Sequence, residues 1–82
     1  MKKFLYFFGT YCQPCKQLGP IMNEVAQTCN VEKIDIDSNP TMTQQFSVRG
    51  VPTVVLVDDS GQEITRFVGV RTKDTYINAY NS

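Results

Sequence analysis

The sequence predicts an α/β fold: a four-stranded mixed sheet flanked by helices, in the order β-α-β-α-β-β-α. Two observations predict it. Short apolar runs alternate with segments of helical periodicity, and a β-α-β step pairs strands one and two in parallel through a right-handed crossover. The last two strands are separated only by Asp58-Asp59-Ser60-Gly61, a tight turn that makes them an antiparallel pair. With 82 residues the chain has room for one domain, residues 1–82, with a thin core.

Residues 2–8 contain the apolar block Phe4-Leu5-Tyr6-Phe7-Phe8 and read as the first strand. Gly9-Thr10-Tyr11 is a turn. A helix follows from Cys12 or Gln13, with Pro14 in the first turn, where its missing N–H costs little. Leu18, Ile21, Met22, Val25, Ala26 and Cys29 form its apolar stripe. Pro20 lies inside the stripe and is expected to bend the helix without ending it, because the pattern continues beyond it. Asn30 is placed to cap the helix end.

Residues 31–36 are the second strand. Ser38-Asn39-Pro40 opens a short helix carrying Met42, Gln45 and Phe46. Val48 to Pro52 is a loop, and Thr53 to Val57 is apolar enough for a central strand. Gly61 supplies positive φ in the turn before the fourth strand, Gln62 to Val68, which alternates through Ile64 and Phe67. Thr72 caps a last helix, residues 73–80, with Tyr76, Ile77 and Tyr80 inward.

Composition excludes several classes. Eight basic and eight acidic residues give zero net charge, and no Lys/Arg cluster exists to neutralise phosphates, so no nucleic-acid partner is expected. Lys2-Lys3 before an apolar run imitates a signal peptide. The run has five residues, short of the roughly 7–15 of such a segment, and no small-residue cleavage site follows. No stretch approaches the roughly 20 apolar residues of a membrane span. Three cysteines are too few and too uneven for a disulfide-stapled secreted domain. A close pair and a distant third suit a reducing, cytoplasmic compartment.

The close pair, Cys12 and Cys15 in "YCQPC", lies where the first strand gives way to the first helix. The Cys12 sulfur meets free backbone N–H groups and the positive end of the helix dipole, which favour thiolate. Cys15 falls at the head of the apolar stripe and is less exposed. Cys12 is therefore the thiol that attacks a partner disulfide, and Cys15 resolves the mixed disulfide, leaving Cys12–Cys15 oxidised. Pro14 stiffens the short ring, and Gln13 is a polar spacer. A zinc site is disfavoured: one C-x-x-C supplies two of four ligands, the chain has no histidine, and Cys29 lies at the far end of the helix. A purely structural disulfide closing so short a loop gains little stability.

"RGVPT", Arg49 to Thr53, precedes the third strand. With strands one and three adjacent, Val51-Pro52 comes beside Cys12. Val51 then has a free N–H and C=O to pair with an extended peptide. The residues alone leave this X-Pro bond open between cis and trans.

The chain resembles the thioredoxin family. The segments "YCQPCKQLGPIMNEVA", "IDIDSNP", "FSVRGVPTVVLVDDSGQEI" and "FVGV" are similar to thioredoxin segments in order and spacing, over nearly the entire chain. The resemblance implies the thioredoxin fold without its usual leading strand and helix, and reduction of protein disulfides with no bound cofactor or metal. It implies Cys12 as nucleophile, Cys15 as resolving thiol and a cis Val51-Pro52 bond. It also implies a docking rim of Tyr11, Gln13, Pro14, Val51, Pro52 and Gly69. Pro20 matches the family's helix-kinking proline, and Lys33 its buried lysine. The implied partners are disulfide-containing proteins, with ribonucleotide reductase as a family-level candidate, and a thioredoxin reductase-type electron donor. The molecule is expected to be monomeric.

Three positions depart from the family pattern. Tyr11 stands where a Trp is usual, and Gln13 where a Gly is usual. Tyr6 replaces the buried carboxylate six residues before the nucleophile, leaving Lys33 without an acidic partner. A phenol is a poor base near neutral pH. Altered kinetics and redox poise are expected, with the reaction retained. Cys29 is expected to serve packing, with a regulatory or intermolecular thiol as the alternative. Two competing functions are a glutathione-dependent, glutaredoxin-like reductase and a non-catalytic binding module on the same rim. Glutaredoxins typically carry a Gly-Gly-acidic stretch before the last helix, where this chain has "VGVRTKD".

Overall fold

The computed structural model describes residues 1–82. Its elements are β1 (Lys3–Phe8), α1 (Gln13–Val25), β2 (Val31–Asp35), α2 (Pro40–Gln45), β3 (Thr53–Val57), β4 (Glu63–Val68) and α3 (Lys73–Tyr80). The sheet order is β2-β1-β3-β4. β1 runs parallel to β2 and antiparallel to β3, and β3 runs antiparallel to β4. The two most apolar strands are thus the two central ones, as burial on both faces requires.

The period of two along these strands divides the core into two layers. Phe4 and Tyr6 of β1 join Val54 and Leu56 of β3 on one face, against Leu18, Met22 and Val25 of α1 and Tyr76 of α3. Leu5, Phe7, Val55 and Val57 face the other way with Ile34, and are covered by Met42, Phe46 and Val48. The ring of Tyr76 meets Phe4 and Phe67 edge-on, at centroid distances of 5.9 and 5.3 Å.

The helix α1 continues past Pro20 to Val25, as its apolar stripe predicts. It stops earlier than the stripe does. The N–H groups of Gln27 and Thr28 bond three residues back, to Glu24 and Val25. This tighter winding leaves Ala26 exposed yet carries Cys29 inward, where it is 8% exposed. Ala26 is the C-terminal cap, not Asn30. Asn30 instead joins the sheet, its C=O accepting from the Phe4 N–H at 2.8 Å.

Two further expectations are corrected. Ile64 is 48% exposed, because a bulge pairs Val57 with Glu63 directly after pairing Leu56 with Thr65. The extra residue breaks the alternation and turns Ile64 out. Lys33 is exposed, not buried, and its ammonium donates to Asn23 Oδ1 at 2.6 Å. Its register partner across the sheet is Tyr6, whose phenol offers no negative charge to hold an ammonium inside. The end of the chain follows expectation: Thr72 Oγ1 accepts from the Thr75 N–H, and Tyr76 is fully buried.

Candidate active site

Cys12 is the N-cap of α1, with extended backbone at φ −95° and ψ 113°. The chain reaches it through a turn in which the Cys12 N–H bonds the Gly9 C=O at 3.4 Å. Its Sγ accepts from the Cys15 N–H at 3.2 Å, so the sulfur takes the place of a capping oxygen at the positive end of the helix. Pro14 occupies the first turn of the helix. Cys12 and Cys15 are joined in a disulfide, with Cα atoms 5.2 Å apart. Cys12 is partly exposed and Cys15 is 6% exposed, so the two sulfurs have unequal access to a large partner.

Behind Cys15 stands Tyr6, 3% exposed, whose hydroxyl donates to the Cys15 C=O at 3.1 Å. Burial pushes its phenol above the ordinary value of 10.0, with the neighbouring Tyr76 phenol adding to the shift. At neutral pH it is a hydrogen-bond donor and no base. A depression of about 290 Å³ reaches this point, lined by Tyr6, Cys15, Lys16 and Lys33 among others, and no carboxylate lines it.

The 50–53 loop comes up on the other side of Cys12. A Cβ on Gly9 would touch Val51 Cγ2 at 3.4 Å and Cys12 Cβ at 3.8 Å, so this glycine sits where loop and dithiol converge. The Val51-Pro52 bond is cis. Thr53 Oγ1 donates to the Gly50 C=O at 2.7 Å, and the Gly69 N–H donates to the Pro52 C=O at 3.0 Å. Gly69 holds φ at +87°, a region open to glycine. The Val51 N–H and C=O make no hydrogen bond within the chain. A second depression of about 290 Å³ runs between Cys12 and Val51, with Tyr11, Ile36 and Asp37 on its walls.

Of the sequence-predicted residues, Cys12, Cys15, Val51, Pro52 and Gly69 come together through these contacts. Tyr11 projects beside them at 96% exposure, and Gln13 and Pro14 are exposed on the first turn. Gly9, Thr53 and Ile36 also stand at the site, beyond the residues expected from the sequence. Gly9 carried a signal, as the glycine between a buried strand and the dithiol. The roles of Thr53 and Ile36 arise from contacts distant in sequence. The largest cavity, about 570 Å³, is lined by Leu5, Met42 and Phe46 among others and includes no residue of the dithiol region.

A dithiol that opens and closes at a helix N-terminus, beside an extended loop with free backbone groups, defines a thiol–disulfide oxidoreductase. Comparison with known proteins agrees. The family model described as Thioredoxin matches residues 2–82. Thioredoxin of Chlamydia trachomatis is 40% identical over 74 residues, covering 87% of this chain and 72% of the relative. A bifunctional thioredoxin reductase/thioredoxin of Mycobacterium leprae is 38% identical over 71 residues, covering 82% of this chain and 15% of that protein. Among solved structures, a mutant thioredoxin from Halobacterium salinarum superposes with a TM-score of 0.90 at 32% identity. It covers 98% of this chain and 72% of that one. The chain belongs to the thioredoxin family.

Proposed function

We propose that this chain reduces protein disulfides with Cys12 as nucleophile and Cys15 as resolving thiol. The observation that carries the assignment is the position of Cys12 Sγ, capping α1 and accepting the Cys15 N–H at 3.2 Å. In the reduced state that environment favours the Cys12 thiolate. The thiolate attacks one sulfur of the substrate disulfide. The substrate S–S bond breaks, a mixed disulfide forms on Cys12, and one substrate thiolate leaves. Cys15 then loses its proton and attacks Cys12 Sγ. The mixed disulfide breaks, and the second substrate thiol departs. Two electrons pass to the substrate and the Cys12–Cys15 disulfide remains. Tyr6 keeps its own proton, so solvent reaching the depression beside Cys15 accepts that of Cys15.

The rim of Tyr11, Gln13, Pro14, Val51, Pro52 and Gly69 holds the substrate. Its support is the free N–H and C=O of Val51 next to Cys12, which an extended peptide can pair with. A reductase of the thioredoxin reductase class returns two electrons to the disulfide, a reading supported by the fused Mycobacterium leprae relative. Disulfide-forming enzymes such as ribonucleotide reductase are candidate substrates. The chain acts as a single-domain monomer in the cytoplasm. No helix is long and apolar enough to cross a membrane.

The test is reduction of insulin disulfides with dithiothreitol as electron source. Wild type turns over, Cys12→Ser does not, and Cys15→Ser accumulates a mixed disulfide visible by mass spectrometry. Turnover surviving in Cys12→Ser, or trapping on Cys15 in place of Cys12, would sink the assignment of roles. Activity that depends strictly on glutathione would favour a glutaredoxin-like reductase.

A further inference from the structure

We propose that Arg66 is a positioning residue that sets the substrate-docking loop, and so decides how well protein disulfides compete with small ones. The proposal rests on the docking role given above to Val51 and Pro52.

Arg66 lies on the edge strand β4, opposite Val55, away from the dithiol. Its Nη2 donates to the Phe46 C=O at 2.7 Å. The same guanidinium is held by Glu63, through Nε to Oε2 at 2.7 Å and Nη2 to Oε1 at 2.6 Å. This two-point fork fixes the plane of the guanidinium and aims it. Opposite shifts in the two groups accompany it. The Arg66 hydrogen bonds hold the Glu63 carboxyl below its usual value, and Glu63 raises Arg66.

Phe46 is the point where α2 ends and the docking loop begins. Ser47 follows at φ +53°, a conformation that L residues seldom adopt, so the loop's direction depends on what holds its start. From there the loop is tied at few places. The Ser47 N–H bonds the Gln44 C=O, the Val48 N–H bonds the Thr43 C=O, the Gly50 C=O accepts from Thr53 Oγ1, and the Pro52 C=O accepts from the Gly69 N–H. Phe46 and Pro52 are thus both held by β4 or the residue just after it. Arg66 secures the near end together with the Ser47 and Val48 N–H bonds back to α2, and Gly69 secures the far end. Val51, between them, keeps its N–H and C=O free. A peptide pairing with Val51 needs those groups in place before it arrives, and fixing the loop at both ends supplies that order. A small disulfide meets only the Cys12 sulfur and draws nothing from the loop.

Arg66→Met removes the hydrogen bonds and keeps most of the apolar stem. Arg66→Lys keeps the charge and can reach the Phe46 C=O, but lacks the fork. The measurements are KM and kcat for insulin disulfides, the second-order rate with 5,5′-dithiobis(2-nitrobenzoate), and amide hydrogen exchange across residues 47–52. Circular dichroism and Tm establish that each variant is folded. Arg66→Met is expected to raise the insulin KM about fivefold, the factor that loss of one hydrogen bond carries. The small-disulfide rate stays at the wild-type value, exchange in the loop rises, and Arg66→Lys restores part of the KM. Unchanged loop exchange and unchanged KM in a folded Arg66→Met overturn the proposal. A fall of both substrate rates together overturns it too, since Arg66 would then act on the dithiol or on the fold. Faster loop exchange with an unchanged insulin KM also overturns it, and traces the failure to the docking role of Val51 and Pro52.

Discussion

Tyr6 places a phenol behind Cys15, and its hydroxyl donates to the Cys15 C=O at 3.1 Å. Removing that donor in Tyr6→Phe costs about 1 kcal/mol, the net worth of one intramolecular hydrogen bond. Urea unfolding measures the loss. Insulin turnover persists in this variant, because the phenol is no base at neutral pH. A large loss of activity in a folded Tyr6→Phe would show that the hydroxyl handles the Cys15 proton after all. The same residue predicts an alkaline limit. Burial raises Tyr6 and Tyr76 above 10.0 in the folded chain. In the unfolded chain the phenols ionise at the ordinary value while the folded ones stay protonated. Their contribution is therefore fully present below pH 10 and is lost as pH rises through the raised folded values. Unfolding midpoints should fall from about pH 10 upward, and less steeply in Tyr6→Phe.

At the scale of the element, the β3–β4 turn depends on one carboxylate. Asp58 Oδ1 accepts from the Ser60 N–H, the Ser60 hydroxyl and the Gln62 N–H, at 2.9, 2.8 and 3.0 Å. These bonds, that of the Ser60 hydroxyl foremost, hold the carboxyl below its usual 3.8. A depressed folded value adds stability above the unfolded value, and that stability is lost as pH falls through the folded one. Asp58→Ala should lower Tm at neutral pH and speed hydrogen exchange in the turn, with the difference from wild type shrinking in acid. In α1 the decisive contact is apolar. Met22 is fully buried against the β1–β3 face, so Met22→Ala costs about 2–5 kcal/mol. That is a large share of the stability of a domain this small. Thermal unfolding reads it directly.

Across the whole molecule, the two ends of the chain are fastened together. The Tyr80 hydroxyl donates to the Lys2 C=O at 3.1 Å and accepts from the Asn30 N–H at 3.3 Å. Lys2 Nζ in turn donates to the Tyr80 and Ser82 C=O groups. One side chain of the last helix thus joins the starts of both parallel strands. Tyr80→Phe keeps the ring packing on Phe4 and loses the two hydroxyl bonds, at a cost of about 1–2 kcal/mol. Urea unfolding checks the magnitude, and hydrogen exchange at Phe4 and Val31 checks the location. Exchange that rises only in α3 would mean that the hydroxyl does not couple the strands.

The order of elements, the helix start at the dithiol, the hairpin turn and the Thr72 cap were legible in the sequence. Each is set by residues a few positions apart: periodicity, a proline in a first turn, a glycine at positive φ. The different exposures of Cys12 and Cys15 were legible for the same reason, since three residues of helix separate them. The exposure of Lys33 and Ile64 was not, because one depends on the side chain that β1 offers across the sheet and the other on a bulge in the β3–β4 register. The approach of Val51-Pro52 to Cys12 was legible through the adjacency of strands one and three, and the resemblance implied Gly69, whereas the hold of Arg66 on Phe46 joins groups too far apart in the chain to be foreseen. The order of residues alone specified which chemistry the chain carries, because a thiol at a helix N-terminus is a local arrangement. Folding alone settled how the loop beside that thiol is tethered and which side chains of the sheet stay exposed, because a register shift and loop hydrogen bonds join residues distant in the chain.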